Sequence, residues 1–393
     1  MSSFMKIALP ALALTGSVYA QSSCSNSATL TIQNAGDATA LAGCKTFSGS
    51  IAIATGTTDD IALNGIKKLD GNLVATDNAN MKRISADSIE EIDGTMTLDG
   101  LTRLYGVEFP KLKKVQGIKW NALPNLQTIG FTAEVTEADK INIQNTAIRS
   151  LKGINIEQVD TIFIANNGYI NEVNMQLGNV SDSMTFADNN EALKITLPNL
   201  IWATNMTFRF VGSLEMPSLE TLNGSLGLYN NGFESFAAPN LTSIGEALAI
   251  VANEKVSNIS FPLLTKINDN LQIANNTNLS MIDGFPKLKS VGGAFDISGN
   301  MSDVETPSLD SVKGTFNLQS TGNVNESCAF YQPLKDKKLI EGKFFCKGKL
   351  VDPGQQGNKP TSQSGSDKTG AATSLSAVNG ALGLAAMAAV FLL

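Results

Sequence analysis

The residues able to do chemistry in this chain are few, and their spacing narrows what that chemistry is. No histidine occurs among the 393 residues, which removes Ser-His-Asp and Cys-His catalysis and every His-based metal site. The four cysteines, Cys24, Cys44, Cys328 and Cys346, are too far apart for CxxC chemistry, and there is no GxxxxGK[ST] phosphate loop. Carboxylates remain. A glycosidase needs two of them flanking the scissile bond, and the ones to weigh are Asp59-Asp60, Glu90-Glu91 and Asp296. The adjacent pairs read as loop charges. Asp296 stands alone once the chain's repeat is laid out. No catalytic, cofactor-binding or metal-ligating residue is assigned, and no cofactor is implied.

The polar residues point instead to secretion. An even cysteine count in an exported chain implies disulfides, with three pairings possible. The spacing favours the two local ones, Cys24–Cys44 and Cys328–Cys346, each closing a loop of about 20 residues and contributing roughly 3 kcal/mol. Nine N-x-[ST] acceptors, Asn179, Asn205, Asn223, Asn240, Asn258, Asn275, Asn278, Asn300 and Asn325, all fall in the second half of the ectodomain. Occupied acceptors lie on the surface. At the start, Lys6, the apolar run 7–14 and Val18-Tyr19-Ala20 form a signal peptide over 1–20. At the end, 381–393 is apolar but too short to span a bilayer. It follows an uncharged spacer and the small residues Gly370, Ala371 and Ala372, the pattern of a GPI-attachment signal. Gly370 is the expected lipid-bearing residue, with Ser366 and Asn379 as rivals.

These groups need elements to position them, and the elements repeat. Pro217-Ser-Leu219, Pro239-Asn-Leu241, Pro262-Leu-Leu264, Pro286-Lys-Leu288 and Pro307-Ser-Leu309 recur at spacings of 22, 23, 24 and 21 residues. Nine residues after each proline comes Leu226, Leu248, Leu271, Phe295 or Phe316, then Leu228, Ile250, Ile273, Ile297 or Leu318 two further on. Alternation of period two marks a short strand with one buried face, and a period of 20–29 residues marks a stacked solenoid. Weaker copies extend the pattern back to about residue 60, with 120–150 the least regular. The fold expected is mainly β: a right-handed β-helix or leucine-rich-repeat-like solenoid of about 21–24-residue coils, disulfide-capped at both ends. Its parts are a signal peptide (1–20), an N-terminal cap (21–59), the solenoid (60–321), a C-terminal cap (322–351), a polar linker (352–370) and a propeptide (371–393).

Asparagine follows most strands: Asn78, Asn167, Asn189, Asn231, Asn253, Asn276 and Asn300, with Leu101 and Thr321 breaking the series. These asparagines are expected to point inward and form a hydrogen-bonded ladder between coils. Asn300 is also a glycan acceptor, and it cannot serve in both roles; the ladder is expected to take it. Acceptors 258, 275, 278, 300 and 325 are expected at the turn after the strand, concentrating glycans along one edge. The outward position between the apolar columns holds Gly227, Ala249, Gln272, Asp296 and Asn317, so no carboxylate stands one coil from Asp296. Trp120 and Trp202 read as core, and Phe208 and Phe210 as packing on the same face of one strand. The formal charge of −7 makes nucleic acid a poor partner. The lysines of 335–349 read as a solvated face of the cap.

Signal peptide, cysteine pair, P-x-L-x-x-[IV] coils with L-x-[IL]-x-x-N strands, second cysteine pair, polar linker and GPI signal together resemble fungal cell-wall organisation proteins of the extracellular-mutant and sporulation-specific group. Their repeats are similar to receptor L domains. The resemblance implies a GPI-anchored glycoprotein needed for wall integrity, with no catalytic residues to carry over. The partners it implies are the plasma membrane, through the lipid, and wall polysaccharide or wall proteins.

Overall fold

A computed structural model describes residues 24–354; the leader, most of the linker, Ser366, Gly370 and Asn379 lie outside the described residues. One coil shows the plan. The corner Pro239-Asn240-Leu241 feeds a two-residue segment, Ser243–Ile244, then the strand Leu248–Val251, a turn at Ala252, and a short back strand, Asn258–Ser260. The next coil lies on it parallel and in register, Leu248 on Leu271 and Ile250 on Ile273. Stacking continues through about 13 turns, and the front strands join one 22-stranded sheet. Alternation decides which side chains go inside: Leu248 and Ile250 are fully buried, as are Leu271, Phe295 and Phe316 in the same column.

In the middle coils the segment and strand fuse into one long element, as in Glu91–Asp99, Lys114–Leu123 and Trp202–Arg209, with a register shift where they join. Later coils break at this join. Gly245 sits there because a Cβ would stand 1.9 Å from the Asn223 carbonyl oxygen, an approach only glycine allows. The irregular 120–150 stretch does not interrupt the stack, since Lys140–Thr146 pairs with both neighbours, Ile118 with Ile141 and Ile141 with Ile162. Pairing also starts earlier than the repeat pattern, with Leu30–Ile32 on Ile51–Ile53.

Most front strands end in a residue at left-handed φ, near +52° to +57° at Asp77, Asn145, Asn166, Asp188, Asn230 and Asn275. Asn and Asp tolerate this region better than other non-glycine residues. Phe210 also occupies it, at φ +55°. That corrects the expectation for this residue: Phe208 is buried within the strand, whereas Phe210 is the half-exposed turn residue after it. Trp120 is fully buried; Trp202 is half-buried and faces outward at the start of its strand.

The open ends of the stack are closed differently. Cys24–Cys44 (Cα–Cα 5.4 Å) ties the first coil beside helix α1, Ala35–Thr39, whose N-terminus is capped by Asn34. At the far end helix α2, Asn325–Asp336, replaces the back strand. Cys328 on α2 bonds Cys346 on the last front strand, Phe344–Lys347 (Cα–Cα 5.6 Å). Tyr331 of α2 is buried against Phe316 and Phe295, with ring centroids 4.7 and 5.8 Å away.

Candidate functional site

The inward asparagines are the most organised polar feature. Asn253 is fully buried. Its Oδ1 accepts from the Asn231 backbone N–H (2.8 Å) and from Asn231 Nδ2 (3.0 Å). Its own Nδ2 donates to the Leu228 carbonyl (2.9 Å) and to Asn276 Oδ1 (3.1 Å). Asn276 in turn takes the Asn253 backbone N–H at 2.8 Å and donates to Ile250 O. The same pattern joins Asn167 to Asn189 (3.0 Å) and Thr146 to Asn167 (3.1 Å), and Asn231 takes the Val211 N–H (2.9 Å). One amide thus serves both the front-strand end and the turn of the previous coil. Asn78 differs, donating to Ala54 O and Thr57 O while capping its own turn at Asn80 and Met81.

Asn300 is not part of this ladder. The strand Phe295–Gly299 runs one residue further than the preceding Leu271–Ala274, and Gly299 holds φ +157° where most earlier coils turn near +55°. The chain therefore crosses the turn out of phase. Met301, 2% exposed, fills the inward place, and Asn300 is exposed, accepting a hydrogen bond from Thr321 Oγ1 (2.7 Å). The conflict between ladder and acceptor resolves in favour of an accessible acceptor.

On the outward face, Asp296 lies in register with Gln272 and Asn317. Asn317 Nδ2 donates to Asp296 Oδ1 (2.7 Å), and Gln319 Nε2 to Asn317 Oδ1 (3.0 Å). Burial pushes the Asp296 carboxyl up, partly offset by hydrogen bonds from Asn317 and Gln272. It is a single acid in a row of amides. Asp59 Oδ2 accepts the Ala35 backbone N–H beside α1 (3.0 Å). Glu90 pairs with Lys67, and Glu91 bridges Lys68 (3.2 Å) and Lys114 (3.1 Å). Hydrogen bonds to Asp93 and Glu91 raise the Lys68 ammonium well above its ordinary value. Among the described residues no cluster of three or more His, Cys, Asp or Glu side chains could hold a metal ion.

The glycan acceptors are spread around the coil rather than along one edge. Asn275, Asn278 and Asn300 sit at the turn after the front strand, while Asn258 opens a back strand and Asn325 opens α2. Asn240 follows a proline corner, and Asn223 follows the segment Thr221–Leu222. Asn179 and Asn205 face outward on front strands, half-buried, with Asn205 Oδ1 accepting the Ser225 N–H (3.0 Å). Equal offsets from the proline stack in one column, but these acceptors stand at different offsets and so at different places on the circumference.

One concavity escaped the sequence reading. Lys82, Arg103, Tyr105, Asn125 and Gln127 line a shallow groove of about 320 Å³ at the turn edge of three successive coils. It falls partly in the irregular stretch, where no repeat column marks outward positions; the exposed Tyr105 is the signal that would have found it.

The sequence profile of the Ecm33 family, described as GPI-anchored cell wall organization protein, matches residues 2–42. Protein ecm33 of Aspergillus fumigatus is 40% identical over 367 residues, covering 93% of this chain and 89% of that protein. The chain belongs to the Ecm33 family. The cell surface GPI-anchored protein of Arthroderma benhamiae is 36% identical, covering 88% of each chain. Sporulation-specific protein 2 of Saccharomyces cerevisiae is 31% identical over 83% of this chain and 66% of that protein. No solved structure matches. Names in this Ecm33 set describe wall and surface proteins rather than enzymes.

Proposed function

We propose that this Ecm33-family protein is a non-catalytic scaffold of the fungal surface, held on the outer face of the plasma membrane by a lipid on Gly370 and organising the wall around it. The observation that carries this reading is the continuous core. About 13 turns at ~4.8 Å each make a rod on the order of 60 Å long. It is closed by a disulfide at each end, and among the described residues no lobe could shut over a substrate. Such a rod presents glycans and side chains at set heights above the membrane. A deletion strain complemented with the full chain should regain resistance to wall stress, while one complemented without 371–393 should not. Full rescue by the unanchored form would remove anchoring from the mechanism.

A receptor-like reading has its own observation. The amide row Gln272–Asp296–Asn317 lies on the same outward face as Tyr229, whose ring covers Gly227 and lies under the Arg209 guanidinium at 5.5 Å. Amides, a carboxyl and an aromatic ring suit a wall glycan or a protein ligand. Glycan-array binding by the deglycosylated protein, lost in Gln272→Ala, would favour it over the scaffold. Turnover of glucan or chitin oligomers that disappears in Asp296→Asn would overturn the non-catalytic reading altogether.

A further inference from the structure

We propose that the groove at Lys82, Arg103, Tyr105, Asn125 and Gln127 is a binding site for a phosphorylated saccharide. It lies at the turn edge, away from the amide row of the outward face, and does not depend on the scaffold reading.

The side chains are those such a ligand needs. Tyr105 is 53% exposed and offers an apolar face to the C–H surface of a pyranose while its hydroxyl stays wet. Lys82 and Arg103 enter none of the ion pairs among the described residues. Neighbouring Arg83 is already paired with Glu108 one coil on, so of these three adjacent cations the two in the groove are unpaired. A phosphomonoester carries about −1.5 to −2 charge at pH 7, which two cations match. The guanidinium fork suits two phosphate oxygens, and the ammonium acts as a point charge. Asn125 Nδ2 donates to the Thr102 carbonyl (2.6 Å), which holds the amide and leaves its Oδ1 for a sugar hydroxyl. Gln127 adds a donor and an acceptor.

Position supports the assignment. The Tyr105 backbone N–H bonds the Lys82 carbonyl (3.0 Å), so these groups ride on coils stacked ~4.8 Å apart, close to the width of one hexose. Every N-x-[ST] acceptor lies at residue 179 or beyond, so no N-linked glycan stems from these coils. The chain as a whole is acidic, at −7, so general attraction does not gather anions here.

The test is saturation-transfer NMR and calorimetric titration of the purified full chain with mannose 6-phosphate, glucose 6-phosphate, glucuronate, mannose and inorganic phosphate. The hexose phosphates should bind, with mannose and inorganic phosphate each weaker by about tenfold or more, the scale of losing one charged hydrogen bond or one ring contact. Arg103→Gln and Tyr105→Ala should each weaken hexose phosphate by about tenfold, and Tyr105→Phe should retain it. All three should melt as the parent does, because these side chains are exposed. Equal affinity for inorganic phosphate, preference for glucuronate, no binding of hexose phosphate, or unchanged binding in Arg103→Gln would each overturn the proposal.

Discussion

The two halves of the solenoid share a core and differ in almost everything outside it. Every ion pair among the described residues lies between Lys67 and Glu137, and every glycan acceptor lies at or after Asn179. The inward turn position does not follow that divide: it is Asn78, Leu101 and Leu123 in the first coils, asparagine at most positions from 167 to 276, and apolar again at Val211 and Met301. Aromatic columns also mark the second half, with Phe261 stacked on Phe285 (5.0 Å) and Phe295 on Phe316 (4.7 Å). The comparison teaches that coil stacking can be secured from inside, by amides and rings, or reinforced from outside by charges.

Breaking the inside of the second half should cost most. Phe316→Ala removes ring contacts to Phe295, Phe344 and Tyr331 and should lower stability by about 3–5 kcal/mol, read as a fall in the urea midpoint. Asn253→Leu leaves the Asn231 N–H and the Leu228 carbonyl without partners and should cost about 2–4 kcal/mol. If it proves neutral, the ladder is not what secures these coils. Removing a terminal disulfide with Cys328→Ser and Cys346→Ser should cost roughly 3 kcal/mol, measured by thermal melting under the same conditions.

A smaller effect comes from Asp296. Its carboxyl, raised by burial, keeps its proton in the folded state after the unfolded chain has lost it near the ordinary Asp value of about 3.9. Folded protein therefore binds more protons in that window, and stability falls as pH rises through it. Asp296→Asn should abolish this slope and leave the protein at least as stable at pH 7; a steeper loss above the window would contradict it. The smallest effect belongs to the first half. Lys68→Gln breaks an exposed network with Glu91 and Asp93, and its slight drop in melting temperature should vanish at high salt. Peptide mapping sharpens the divide by one site: Asn300 should carry glycan, as its exposed amide permits.

Much of this was legible in the chain. The proline and leucine columns, read with period-two alternation, imply parallel coils, and Leu248 and Ile250 are buried with their equivalents as that alternation requires. Asn300 and Phe210 were misread for one reason. Inward or outward direction beyond a strand depends on where the turn residue takes left-handed φ, and a one-residue shift at Gly299 exchanges Asn300 for Met301. The groove was invisible because its five side chains come from three coils whose outward positions carry no repeating type.

By itself the sequence determined the solenoid, its two end staples and the division between a half without N-x-[ST] acceptors and a half that holds all nine. These follow from local alternation, spacing and motif, which need no knowledge of distant contacts. Only the tertiary structure decided which asparagines point inward, where the acceptors lie around the coil, and that Lys82, Arg103 and Tyr105 meet. Those relations are set by the phase of each turn, a property of backbone torsion summed over coils rather than of any residue alone.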